Sequence, residues 1–323
     1  MATSAHTLLA TLWFCILGLM LACYVVCDGF DLGIGILSLF VPDAPQRDAM
    51  VASIVHVWDA NETWLVVLGG GLFGAFPAAY STLLPHLYLP LVTLIAGLIL
   101  RGAAVEFRQA AGRGPFWDRA FGLGSLLAAV AQGVILGRVI TGLNPGIWSA
   151  VFTLCAAVGV AAGYALLGAT YLIRTTSYPV DDAARRWTLV ALPVTVLCAL
   201  VLAFATLRLG MASTERWHLR SVLAVLALLA AAAAVAGAYV AGSAWTGGRH
   251  GPFRAAVLLF LASFGGLAVS LFPDFMPGRL SLVDAASDDR TLVCMLVGMG
   301  VLLPVLLGYN LYQYHALRGK APA

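Results

Sequence analysis

The sequence predicts an all-α polytopic membrane protein with nine transmembrane helices. Of its 323 residues, 61% are hydrophobic and only 10% are charged. Ordinary soluble domains run at roughly 45–50% and about 25%. Mean hydropathy is +0.94. The apolar residues fall in runs of about 20 or more, long enough to cross a bilayer. A chain so poor in charge cannot cover a soluble globule, which excludes a soluble enzyme, a disordered chain and a nucleic-acid binder. The six cysteines (Cys15, Cys23, Cys27, Cys155, Cys198 and Cys294) lie in apolar runs without a C-x-x-C pair. They read as small buried hydrophobes, not as a disulfide or metal frame.

The first span covers 8–27 and continues as helix to about Phe40, before Pro42 and Pro45. The second, 51–76, stops at Pro77, and the third, 79–101, at Arg101. Pro115 precedes the fourth, 119–140, and Asn144-Pro145 follows it. The fifth, 148–173, runs towards Pro179. A short polar loop divides the sixth, 187–209, from the seventh, 219–243, which ends before Gly247-Gly248. The eighth, 254–272, meets Pro273 and Pro277, and the ninth covers 291–315. Proline and glycine are the expected breakers at such ends. No soluble domain fits between the spans and no repeat is visible, so residues 1–323 form a single integral membrane domain.

Net charge is +3, from 17 arginines and the single Lys320, too small a bias to name a partner. Its placement is more informative. Arg47, Arg101, Arg108, Arg113, Arg119, Arg174, Arg185, Arg186, Arg249, Arg254, Arg318 and Lys320 fall on one set of loops. Only Arg138, Arg208, Arg216, Arg220, Arg279 and Arg290 fall on the other. The richer side is expected to be cytoplasmic, which puts the N-terminus outside and the C-terminus inside. The first span has no basic residue before it, so a cleaved signal peptide is not expected.

Most carboxylates lie in loops, and the exceptions cluster. Asp28 and Asp31 sit at the inner end of span 1, and Asp59 and Glu62 near the inner end of span 2. Glu106 lies just past span 3, between Arg101 and Arg108. An ionisable side chain in a bilayer costs roughly 2.5–3.5 kcal/mol on insertion scales, so four acids together demand a role. At 100° per residue, His56, Asp59, Glu62 and Thr63 fall within about 120° of arc on one helix. Asp28 and Asp31 share a face of theirs. Two neighbouring antiparallel helices would bring both pairs to similar depth, with Arg101 in reach. Crowded carboxyls in low dielectric exchange protons near neutral pH, which suits a proton relay from the cytoplasm. The alternative is structural: acids paired with Arg101 or Arg108, locking three helices. Both roles can coexist.

Gly29 and Gly33 are spaced GxxxG, as are Gly70 and Gly74. Such spacing permits close helix packing within the chain or docking of a partner. The glycine run at 69–71 has no Lys-Ser/Thr after it and is no phosphate loop. The six histidines are His6, His56, His86, His218, His250 and His315. They are scattered over loops and span ends, and no facing pair for axial haem ligation is evident. Trp13, Trp148, Trp217 and Trp245 read as interfacial anchors. Trp58 and Trp64 flank the acidic stripe, shielding it from lipid or packing against a partner.

The run Asp28-Gly-Phe-Asp-Leu-Gly-Ile-Gly35, then Trp58-Asp-Ala-Asn-Glu-Thr-Trp64, then Gly69–Gly71 with Phe76-Pro77, then Arg101-Gly-Ala-Ala-Val-Glu-Phe-Arg108 resembles subunit II of the cytochrome bd-type quinol oxidases. The match covers 28–108 in order and spacing, with a weaker echo at Phe272-Pro273, Pro277 and Ala286-Ser287. Asp-Ala-Asn-Glu-Thr is similar to the branch called cyanide-insensitive. The resemblance implies nine spans and an external N-terminus in the bacterial cytoplasmic (inner) membrane. It implies a heterodimer with a haem-bearing subunit I, which holds the quinol site, two b-type haems and a d-type haem, or a b in its place. Subunit II then binds no haem or metal; it stabilises the complex and contributes acids to a proton path. By position, Asp59 beside Trp58 is the path's key acid. Asp28 and Asp31 match the span 1 acids, and Arg101, Glu106 and Arg108 match the span 3 end. Glu62 belongs to the same path or to an ion pair. A small single-span third subunit is left open by the resemblance. Some members hold a structural quinone in this subunit; the short loop between spans 6 and 7 argues against one here. His56 stands where proline is expected, adding a titrating group beside Asp59 or capping the helix start.

The leading expectation is therefore a non-haem subunit of a terminal quinol oxidase. The competing ones are a stand-alone proton-coupled transporter and a purely structural assembly subunit. A transporter usually places its site at the midplane between repeats, whereas these acids lie towards one face.

Overall fold

The computed structural model describes residues 4–110, 114–208, 219–276 and 279–316. Arg216, Trp217 and His218 in the loop between spans 6 and 7 lie outside the described residues, as do Arg113, Pro277, Arg318 and Lys320.

The described chain is almost entirely helical. It begins with α1 (Ser4–Ser38), then α2 (Ala44–Ala52), α3 (Trp58–Ala75), α4 (Pro77–His86) and α5 (Tyr88–Ala110). There follow α6 (Pro115–Ile140), α7 (Ile147–Thr175), α8 (Val180–Arg208), α9 (Arg220–Thr246) and α10 (Pro252–Leu271). A two-stranded antiparallel hairpin, β1 (Asp274–Met276) and β2 (Leu280–Ser281), leads to the short α11 (Leu282–Ala285) and to α12 (Asp289–Ala316). Eight of these helices are long and apolar enough to cross a membrane, or nine if α3 and α4 count as one broken span. The chain is a multi-pass membrane protein.

Two boundaries depart from expectation. The expected helix 51–76 is instead the end of α2, a turn over 53–57, and α3 from Trp58. The expected helix 79–101 joins what are two helices: α4 turns away from α3 by 118° and ends at His86, before α5 starts at Tyr88. Pro77 explains the bend between α3 and α4, because proline cannot continue the ladder of the preceding helix but suits the first turn of a new one. The carbonyls released there find a distant partner. Ser287 donates its backbone N–H to the Ala75 carbonyl at 2.9 Å and its hydroxyl to the Gly74 carbonyl at 2.7 Å. A broken helix is tolerated at membrane depth when its freed groups are satisfied in this way.

The long helix α1 is the hub, packed on α3, α6 and α7. Its glycines make the crossing with α7 close. A Cβ built on Gly33 would lie 1.8 Å from the Tyr164 carbonyl oxygen, and one on Gly168 would lie 2.6 Å from the Gly33 carbonyl carbon. The second glycine pair behaves differently. Gly74 meets the Met295 side chain, whereas Gly70 has nothing within 4 Å. The α1–α7 contact brings Asp28 and Asp31 into the interior, while the α1–α3 contact sets Asn61 beside them.

Candidate functional site

Three helices build the site. Asp28 and Asp31 come from α1, Trp58 to Glu62 from the first turns of α3, and Arg101 from α5. Asp28, Asp31, Asn61 and Arg101 are all at 0% exposure. Arg101 Nη1 donates to Asp28 Oδ1 at 2.5 Å, and Nη2 donates to Glu62 Oε2 at 2.9 Å. The Arg101 guanidinium also lies 5.8 Å from the Trp58 ring centroid, within cation–π range. Gly102 keeps that approach open, since a Cβ there would sit 3.1 Å from the Trp58 ring. Asp31 is held differently: Asn61 Nδ2 donates to its Oδ2 at 2.7 Å and to the Cys27 carbonyl at 3.1 Å. Asp28 Oδ2, Asp31 Oδ1 and Arg101 Nε are buried without a hydrogen-bond partner among the described residues.

The acids are graded from interior to surface. The Glu62 side chain is 27% exposed, between buried Arg101 and the outside. Asp59, one turn earlier on α3, is exposed. Both line a shallow groove of about 390 Å³ between α3 and α5, with Trp58, Thr63, Val66, Leu98 and Ile99. Three carboxyl groups thus surround one guanidinium, and a fourth opens onto the groove.

Two sequence-picked residues fall elsewhere. His56 is exposed in the turn before α3, so it is not part of a helical stripe with Asp59 and Glu62. That stripe assumed a helix continuous from residue 51, and the turn over 53–57 breaks it. Glu106 is exposed and has no ion-pair partner among the described residues. Arg108 forms a second cluster, away from Arg101. It pairs with Asp48 of α2, and its Nε donates to Asp118 Oδ1 of α6 at 2.7 Å. Arg47 Nε holds the other Asp118 oxygen at 2.8 Å.

Asn61, Asp48, Asp118 and Arg47 were not singled out by sequence. Asn61 lies inside the Trp58–Trp64 motif, which was the available signal. Asp48 and Asp118 lie in segments where charge is unremarkable, and only the fold reveals their shared arginine. Gln132, Tyr24 and Tyr164 are further polar side chains within apolar spans, and that placement is their signal in the sequence. Among the described residues, no three His, Cys, Asp or Glu side chains are grouped to hold a metal ion.

The family model for cytochrome bd terminal oxidase subunit II matches residues 9–317. The chain is 27% identical to the cytochrome bd ubiquinol oxidase subunit 2 of Bacillus subtilis, over 96% of each chain. It is 28% identical to the cytochrome bd-I ubiquinol oxidase subunit 2 of Escherichia coli, over 60% of this chain and 56% of that one. Its fold is similar to a chain of the bd oxidase from Geobacillus thermodenitrificans, with a TM-score of 0.76 over 97% of this chain and 99% of that one, at 18% identity. With a family match running nearly end to end, the chain belongs to the cytochrome bd terminal oxidase subunit II family.

Proposed function

We propose that this chain is the haem-free subunit of a quinol:oxygen oxidoreductase in the bacterial cytoplasmic membrane, with its N-terminus outside. In this reading it stabilises a haem-bearing subunit I and carries protons from the cytoplasm towards the site of oxygen reduction. Haems in subunit I supply the electron transfer and the oxygen chemistry; this chain's residues handle protons. The arginine-rich loops favour the orientation.

The observation that carries the reading is the graded run of acids. Exposed Asp59 opens on the groove, half-buried Glu62 follows, and Arg101 links Glu62 to buried Asp28. A purely structural ion pair needs no acid at the groove. Asp59 locks no helices together: its backbone carbonyl accepts from Thr63 at 3.1 Å, but no ion pair ties its carboxylate among the described residues. The cluster sets the carboxyls of Asp28, Asp31 and Glu62 against one guanidinium, more acid than a structural ion pair needs. Asp59 takes up a proton at the groove and passes it to Glu62; Asp28, on the far side of Arg101, is the next acceptor inward, and Arg101 keeps its own protons and only holds the two carboxyls in place. Trp58 covers the guanidinium and keeps lipid from it. The apolar groove wall, with Val66 72% and Ile99 66% exposed, suits the helices of subunit I.

The specific observation favouring the structural reading is that Arg101 ties α1, α3 and α5 together. Asp59→Asn separates the two, since it leaves every Arg101 bond intact. The purified complex should retain its haem spectrum and subunit I, while quinol-driven oxygen uptake falls at least about tenfold, a modest share of what a positioned proton-transfer group contributes. Full uptake with an intact haem spectrum would leave Asp59 no part in the path.

A further inference from the structure

Gln132 sits in the apolar helix α6, where an amide side chain is costly without partners. It has two. The Tyr164 hydroxyl of α7 donates to Gln132 Oε1 at 2.6 Å, and Gln132 Nε2 donates to the Tyr24 hydroxyl of α1 at 2.9 Å. Both tyrosines are buried, at 2% and 1% exposure. The two bonds constrain each other. An amide carbonyl only accepts and an amide NH2 only donates. Tyr164 therefore spends its proton on Gln132, whereas Tyr24 receives a proton and keeps its own.

Tyr24 lies one helical turn before Asp28, so the two side chains share a face of α1. Asp28 has one oxygen engaged by Arg101, while Oδ2 is buried with no donor. A hydroxyl with a proton to give thus stands beside an acceptor with none. The opposite amide orientation would spend the Tyr24 proton on Gln132 and leave Asp28 Oδ2 unsupplied. The groups facing Asp28 are Arg101 from α5, Glu62 and, through Asp31, Asn61 from α3, Tyr164 from α7, and Tyr24 and Asp31 from α1. None of them donates to Oδ2 within direct hydrogen-bond distance.

We infer that Tyr24 is the second donor to Asp28, through one bridging water, and that Gln132 and Tyr164 set the direction of that bond. Tyr24, Gln132 and Tyr164 are then positioning residues. They hold the Asp28 carboxylate between two donors, so that a proton arrives at a defined oxygen. This rests on the reading of Asp28 as a proton-path residue.

Infrared spectra of the purified complex test it, with the Asp28 carboxylate bands assigned by their loss in Asp28→Asn. Tyr24→Phe should shift those bands and slow quinol-driven oxygen uptake about tenfold, the scale of one hydrogen bond to a charged group. The haem spectrum and subunit I should be retained. Gln132→Leu should shift the bands in the same direction with a smaller loss of rate, because Tyr24 stays but loses its fixed orientation. Unmoved bands in either variant overturn the inference. Loss of assembly in both overturns it equally, since the network would then be a folding element. Oxygen uptake in Asp28→Asn judges the proton-path reading separately: full activity there removes Asp28 from the path, while the band shift still decides the Tyr24 contact.

Discussion

Replacing Arg101 with methionine should prevent the chain from accumulating in the membrane. The substitution keeps an unbranched apolar stem and removes the guanidinium with its charge. Asp28, at 0% exposure, then loses the guanidinium bonded at 2.5 Å, and Glu62 loses its own at 2.9 Å. Asp31 stays nearby with only Asn61 as donor to its Oδ2. Removing one partner of a buried pair costs about 3–5 kcal/mol, because the remaining charge stays desolvated. Here one arginine serves two carboxylates, and total stability is only about 5–15 kcal/mol. Arg101→Lys should rescue in part, since a point-like ammonium cannot span both acids as the planar fork does. The triple variant Arg101→Met, Asp28→Asn, Glu62→Gln should accumulate better than Arg101→Met alone, though without activity. Immunoblots of membranes and thermal denaturation in detergent measure this. Wild-type levels and an unchanged melting temperature in Arg101→Met would show that the cluster holds nothing together.

Gly33→Ala should be nearly as damaging, though it adds only a methyl group. The new Cβ would lie 1.8 Å from the Tyr164 carbonyl oxygen, 2.5 Å from its carbonyl carbon and 3.0 Å from the Gly168 nitrogen. All three are backbone atoms of α7, so no side-chain rotation relieves the clash and the helices must part. Overpacking typically costs about 1–3 kcal/mol, occasionally more, and a clash with backbone belongs at the upper end. Parting α1 from α7 would also displace Asp28 and Asp31, so residual complex should be slow. Gly18→Ala supplies the control on the same helix. A Cβ there meets nothing within 4 Å, and alanine is the better helix former by about 0.8–1 kcal/mol. Gly18→Ala should be neutral or slightly stabilising. Equal melting temperatures for the two variants would contradict the close α1–α7 crossing.

Hydropathy was enough to place most of the membrane spans, because a bilayer imposes a minimum apolar length on any helix that crosses it. The acidic residues were equally legible, because charge in an apolar run is costly enough to stand out. Direction was not legible. The α3–α4 bend of 118° lies between apolar helices, and hydropathy carries no information on where a chain turns. The start of α3 was not legible for a related reason: a turn over 53–57 separates His56 from Asp59, and periodicity cannot register a break that short. Ser287, which satisfies the broken end of α3 at the Gly74 and Ala75 carbonyls, lies too far along the chain for local pattern to connect them.

The sequence by itself therefore determined the membrane class and the identity of the acids that need a role. Tertiary structure decided which acids are buried, which one opens on the groove, and which share an arginine. Asp28 and Asp59 look alike in sequence, each a carboxylate at the inner end of an apolar run. They differ because the α1–α7 crossing at Gly33 turns one inward, while the start of α3 at Trp58 leaves the other on the groove. Burial and pairing are properties of neighbours from other helices, and local sequence does not name them.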